Sequence, residues 1–103
     1  MRVLFVCLGN ICRSPTAEGV LRHKLRAAGL AEHIEVASAG TGDWHVGNPP
    51  DKRSQAAALA RGYDLSAQRA QQVSRADFTS SDLILAMDQS NLRNLKALQP
   101  AQG

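Results

Sequence analysis

The chain has 103 residues, of which 44% are apolar and 20% charged; this suits one small globular domain and excludes two domains or a disordered chain. Its net charge of +3 is dispersed and aromatics are only 4%, so there is neither a basic run nor a stacking surface for nucleic acid, and no nucleic-acid partner is expected. No apolar stretch reaches the length of a membrane span and the apolar start is too short for a secretory signal, so no membrane partner is expected either.

Val3 to Val6 is a continuous apolar run that fits a buried strand of a parallel sheet. A loop, Cys7 to Ser14, follows. Ser14-Pro15 reads as a helix start, with Ser14 as the cap, Pro15 at the first helical position and Glu18 in the first turn, where negative charge suits the helix dipole. Ala17, Val20, Leu21, Leu25 and Ala28 make one apolar stripe, and Gly29 is the stop. Ile34 to Ala37 alternates like a short strand, and residues 38–50, rich in Gly and Pro, read as a loop carrying Trp44. An Ala-rich helix from Asp51 to Arg61 ends at Gly62. Ser66 to Val73 is either a short helix or an irregular link. Asp82 to Met87 is a second buried strand, and Asp88 or Ser90 caps a last helix through Leu98 that Pro100 ends. Strands alternating with helices imply a parallel sheet with helices on both faces, a single α/β domain over residues 1–103. Ligands of such sheets sit beyond the carboxyl ends of the strands, where the Cys7 loop lies.

The loop Cys7-Leu8-Gly9-Asn10-Ile11-Cys12-Arg13-Ser14 has the chemistry of a phosphate cradle with a nucleophile. Amides of Leu8 to Arg13 can turn inward on three phosphate oxygens. Gly9 permits backbone angles that a Cβ forbids, and Asn10 tolerates a left-handed conformation. The following helix aims its positive end at the anion, and Arg13 offers a planar fork for two phosphate oxygens. That positive field favours Cys7 as a thiolate, and Ser14 can donate a hydrogen bond to it. In-line attack on phosphorus then makes a phosphocysteine that water cleaves. A phosphate or sulfate ion in the loop is the ligand expected first.

Other uses of these residues fit less well. Cys7-x4-Cys12 is loose for a zinc hairpin, and His23, His33 and His45 show no paired spacing, so no metal is expected. Gly40-Thr41-Gly42 lacks the third glycine and the helix start of a dinucleotide fingerprint, and no cofactor is expected. Both cysteines in one loop, rather than spread along the chain, suit a reducing cytoplasm.

From Val3 through Pro15 the sequence resembles the signature of low-molecular-weight protein tyrosine phosphatases. The likeness continues through Ser38-Ala39-Gly40-Thr41, Trp44, Gly47-Asn48-Pro49-Pro50-Asp51 and Asp82 to Leu92. The resemblance implies the three-layer α/β/α fold of that family and hydrolysis of phosphotyrosine proteins or small aryl phosphates. It implies Cys7 as nucleophile, Arg13 as transition-state clamp, and Cys12 as a second cysteine able to form a protective disulfide with Cys7. It places Asn10, Ser14 and Ser38 in a network that keeps the loop strained, Leu8 and Trp44 along a cleft for an aromatic ring, and Asp88 beside the loop. The remaining loop residues, Gly9, Ile11 and Cys12, bind substrate through the loop itself.

Two positions depart from the pattern. Gln68 stands where many members carry a His supporting the loop, and Gln71 replaces a common Arg. The family also carries a late Asp-Pro-Tyr-Tyr-like segment with the general acid, a last strand and a long C-terminal helix; residues 1–103 end before these, so the expected fold is C-terminally short, with a sheet edge open to self-association. Asp43 and Asp51, in cleft-side loops, are the substitute acids to consider. Arsenate reduction on the same scaffold needs redox cysteines beyond Cys12, and none follows in these residues. A phosphate-binding module with little turnover is the remaining alternative.

Overall fold

The computed structural model describes residues 1–98. Chain order is β1 (Arg2–Cys7), α1 (Arg13–Ala27), β2 (Glu35–Gly40), α2 (Lys52–Ala60), α3 (Arg75–Ser80), β3 (Leu83–Ala86) and α4 (Gln89–Leu98). The three strands form one parallel sheet in the order β2-β1-β3. The central strand β1 is apolar from Val3 to Val6, as suits a strand covered on both faces; β3, Leu-Ile-Leu-Ala, is equally apolar but lies at the edge and is not the buried strand expected, since Leu83 and Leu85 are exposed. Leu4 and Val6 point to one face, where they join Ala39, Val73 and Leu95 of α4 in a buried cluster flanked by Phe78 of α3 and Ile84. The opposite face lies under α1: Val36 and Ser38 of β2 meet Arg22 and Glu18 there. Helices therefore cover both faces of the sheet, in three layers.

Local signals held at several ends. Gly29 and Gly62 stop α1 and α2 with φ of 75° and 90°. Asp51, expected as the first residue of α2, is instead its cap, its carboxylate accepting from the amides of Arg53 and Ser54 at 3.0 and 3.1 Å. Asp88 caps α4, accepting from the Asn91 amide at 2.8 Å.

Other expectations are corrected. Ser14 is not the cap of α1: the helix begins at Arg13, Cys12 holds the cap position without a side-chain bond, and the Ser14 hydroxyl turns into the loop. Glu18 is not in the first turn and does not serve the dipole; it is buried beneath β2. Of the expected stripe Leu25 is buried, Ala17, Val20 and Leu21 are half-buried and only Ala28 is exposed; Ser14, Pro15 and Glu18 complete the buried face of α1. The second strand starts at Glu35 and runs on through Gly40, so residues 38–40 are sheet rather than loop. Residues 66–73 form an irregular link with one parallel bridge, Gln72 to Gly40. Helix α3 was not foreseen; its cue is the reciprocal capping box of Ser74 and Asp77. Pro100 lies outside the described residues.

Candidate active site

The loop joins the carboxyl end of β1 to the start of α1, and it is pressed against β2. A Cβ on Gly40 would stand 2.7 Å from the Leu8 carbonyl oxygen and 3.1 Å from the Asn10 nitrogen, so only glycine lets the loop lie this close. Among the described residues the one other than glycine with a positive φ is Asn10, at 58°. Asn therefore carries the left-handed turn, whereas Gly9 supplies space: its Cβ would meet the His45 ring at 2.9 Å.

Cys7 is buried and Cys12 exposed, and both are free thiols. The Asn10 amide donates to Cys7 Sγ at 3.2 Å, and Ser14 Oγ lies 2.9 Å from the same sulfur. Asn10 Nδ2 donates to Ser14 Oγ at 2.8 Å and to Ser38 Oγ at 2.9 Å, while Asn10 Oδ1 accepts from the Gln71 amide at 2.9 Å. The Ser38 hydroxyl donates to Glu18 Oε1 at 2.5 Å. Asn10, Ser14 and Ser38 are thus gathered in one buried network around the thiol.

Arg13 stands at the loop exit and donates to Asp88 Oδ2 at 2.8 Å. That hydrogen bond raises the Arg13 pKa, with the field of Asp88 and the two cysteines acting the same way against desolvation. The Asp88 carboxyl is lowered in turn, first by the Asn91 amide and then by Arg13. One carboxylate therefore caps α4 and holds the arginine fork.

Leu8, Thr41, Gly42, Trp44, Asn94 and Leu98 line a cleft of about 300 Å³ beside the loop. Leu8 and Trp44 are both exposed, Trp44 at 67%, leaving an aromatic face free for a planar group. A larger hollow of about 660 Å³ lies at the opposite ends of the strands, between Met1 and Arg26, and contains none of these residues. Ile11 anchors the loop through its carbonyl, which accepts from the Asp51 amide at 2.7 Å.

Three placements differ from expectation. Gln68 makes no hydrogen bond to Asn10, Ser14 or Ser38; its Nε2 donates to the Pro15 carbonyl at 3.0 Å, steadying α1 instead. Gln71 takes the supporting place, through its backbone to Asn10 and its side chain to the Ser38 carbonyl at 2.9 Å. Asp51 is engaged as a helix cap, while Asp43 is exposed in the cleft-side loop. Glu18 and Gln71 were missed because their partners lie far along the chain. Among the described residues no three His, Cys, Asp or Glu side chains converge as a metal set, and no helix is long and apolar enough to cross a membrane.

A Cys-centred loop between strand and helix, with an arginine held by a carboxylate at its exit, marks an α/β protein shaped to receive an anion beside a cysteine. Residues 2–102 match the family described as low molecular weight phosphotyrosine protein phosphatase, and the chain belongs to that family. It is 48% identical over 101 residues to the low molecular weight phosphotyrosine protein phosphatase of Schizosaccharomyces pombe, an alignment covering 97% of this chain and 64% of that protein. The crystal structure of YfkJ from Bacillus subtilis superposes with a TM-score of 0.92 at 44% identity, covering 95% of this chain and 62% of that one. A protein tyrosine phosphatase from Entamoeba histolytica, solved with Hepes in its active site, superposes at 0.93 with 40% identity, covering 99% and 65%. The chain therefore spans just under two thirds of the length of the relatives it matches.

Proposed function

We propose that this protein hydrolyses aryl phosphate monoesters, phosphotyrosine in proteins among them, through a phosphocysteine on Cys7. The observation that carries the reading is the seat of the Cys7 sulfur: an amide at 3.2 Å and a hydroxyl at 2.9 Å converge on it in a strand-to-helix loop. Such donors favour the thiolate and steady it as a leaving group. The phosphoryl oxygens lie in the amides of Leu8 to Arg13, with the Arg13 fork stabilising charge in the transition state. The aryl ring rests between Leu8 and Trp44.

Cys7 Sγ attacks phosphorus as the aryloxide departs, and water then cleaves the S–P bond to return the thiolate and inorganic phosphate. Asn10 and Ser38 support the loop, Asp88 orients Arg13, and Gln68 acts at one remove through Pro15. Free phosphate or sulfate occupies the same seat, and two free cysteines suit a reducing cytoplasm. The free edge of β3, with Leu83 and Leu85 exposed, supports self-association of a polypeptide limited to these residues.

The test is rapid-quench turnover of p-nitrophenyl phosphate. A phosphocysteine at Cys7 and complete loss of turnover in Cys7→Ser are expected. Turnover that survives in Cys7→Ser refutes the mechanism, and phosphate binding without any turnover makes this a binding module.

A further inference from the structure

The directions of the hydrogen bonds around Cys7 can be assigned from one end. The Gln71 amide only donates, so the Asn10 atom facing it is the carbonyl oxygen, and Nδ2 faces Ser14 and Ser38. Both hydroxyls therefore accept from Asn10, and each has one proton left to give. The Ser14 proton goes to Cys7 Sγ and the Ser38 proton to Glu18 Oε1. Glu18 sits one helical turn beyond Ser14, is 8% exposed, and has its second oxygen bound by Arg22, which also donates to the Val36 carbonyl at 2.7 Å.

We propose that Glu18 is a positioning residue for Cys7, acting through Ser38 and Asn10. An ionised carboxylate accepts and never donates, so it draws the Ser38 proton and makes that oxygen a stronger acceptor for Asn10. Asn10 is thereby held in its left-handed turn, with its amide on the sulfur and its Nδ2 filling a lone pair of Ser14. The Ser14 proton is left to face Cys7. The inference rests on Cys7 reacting as a thiolate. Its sign is diagnostic. As a bare negative charge Glu18 would disfavour the thiolate, so removing it would ease ionisation; as the anchor of this relay, its removal hinders ionisation.

Glu18→Gln keeps the shape but must set an NH2 group against either Ser38 or Arg22, each of which is a donor there. The experiment follows iodoacetate alkylation of Cys7 against pH, read by peptide mass so that Cys12 is counted apart. Wild type, E18Q, S38A and the E18Q/S38A double variant are compared, with circular dichroism for fold. E18Q and S38A should each move the Cys7 profile up by about one pH unit, the scale of one hydrogen bond to an ionised group. The double variant should move it no further than either alone. A folded E18Q whose profile stays or moves down, or a double variant showing the sum of both shifts, overturns the proposal. If E18Q does not fold, S38A decides alone, an unshifted profile again being fatal. A wild-type Cys7 that alkylates no faster than Cys12, with turnover surviving in Cys7→Ser, would instead defeat the Cys7 mechanism on which the proposal rests.

Discussion

Replacing Asn10 with alanine removes the hub of the loop. Three buried hydrogen bonds disappear, to Ser14, Ser38 and the Gln71 amide. At about 1 kcal/mol each, they account for about 3 kcal/mol. The φ of 58° must still be held, at a cost of about 1 kcal/mol more for alanine, which lacks the short polar side chain that makes the left-handed turn tolerable to Asn. Asn10→Ala should therefore lose about 4 kcal/mol, against total stabilities of about 5–15 kcal/mol for domains of this kind. With a urea slope of about 2 kcal/mol per molar, the midpoint falls by about 2 M. Asn10→Gly loses the same three bonds and escapes the backbone term, yet gives back about 0.4–1 kcal/mol to the freer unfolded chain. It should sit slightly above alanine, by about 0.5 kcal/mol. Urea melts of the three proteins decide the matter. A loss below about 1 kcal/mol for alanine, or a glycine variant clearly less stable than alanine, would refute the assigned roles.

Gly42→Ala would bring a Cβ within 1.9 Å of the Trp44 ring, so the indole must move; KM for aryl phosphates should rise several-fold while kcat stays near wild type, and an unchanged KM contradicts the placement of Trp44. Mild peroxide should join buried Cys7 to exposed Cys12 reversibly, detected as a loss of two mass units that reductant restores; over-oxidised Cys7 with free Cys12 speaks against it. Asp88 has its carboxyl lowered beneath the ordinary 3.8, so its contribution to stability is complete above that pH and is lost as pH falls through the lowered value. Asp88→Asn should therefore narrow its gap from wild type in that acid window, as urea melts at successive pH values would reveal; a gap independent of pH contradicts the assignment. A polypeptide of residues 1–103, which contains no Asp-Pro-Tyr-Tyr segment, should cleave p-nitrophenyl phosphate about 10²–10⁴ times faster than phenyl phosphate relative to a complete relative, because protonating the poorer leaving group contributes about that much. Comparable rates on both esters would point to Asp43 as an acid.

The parts of this fold that could be read in the sequence are those decided by neighbours along the chain. β1 announces itself because both faces are buried, so every residue from Val3 to Val6 is apolar. Helix stops at Gly29 and Gly62 and the cap at Asp88 obey local backbone rules. Helix α3 escaped because six residues hold no apolar stripe, and its capping box is a short signal. Ser14 and Glu18 were misassigned for the opposite reason. A Ser before a Pro and a Glu four residues later match helix-start rules so well that they hide another use, and the atoms that claim them belong to Cys7, Asn10 and Ser38.

The loop motif names the reacting atoms, but it does not hold them in place. Asn10 is fixed by Ser38, 28 positions on, and by Gln71, 61 positions on; Arg13 is held by Asp88, 75 positions on. Ser38 lies on β2, Gln71 in the link between α2 and α3, and Asp88 just beyond β3, so the loop is set only when all three strands are paired. Parallel pairing is what makes that convergence possible. The Cys7 end of β1 meets Gly40 on one side, while Val6 meets Ala86 on the other, two residues short of Asp88. The supports are thus delivered to the same end of the sheet as the nucleophile. A left-handed Asn10 and a fork held by a carboxylate are states that a free loop would not keep, and their maintenance falls to the sheet. Substitutions at Ser38 or Gln71 should then alter reactivity at Cys7 with no change in the signature itself. For the same reason, similarity confined to Cys7 through Ser14 would be weaker ground for activity than similarity that also covers Ser38 to Gly40 and Asp88.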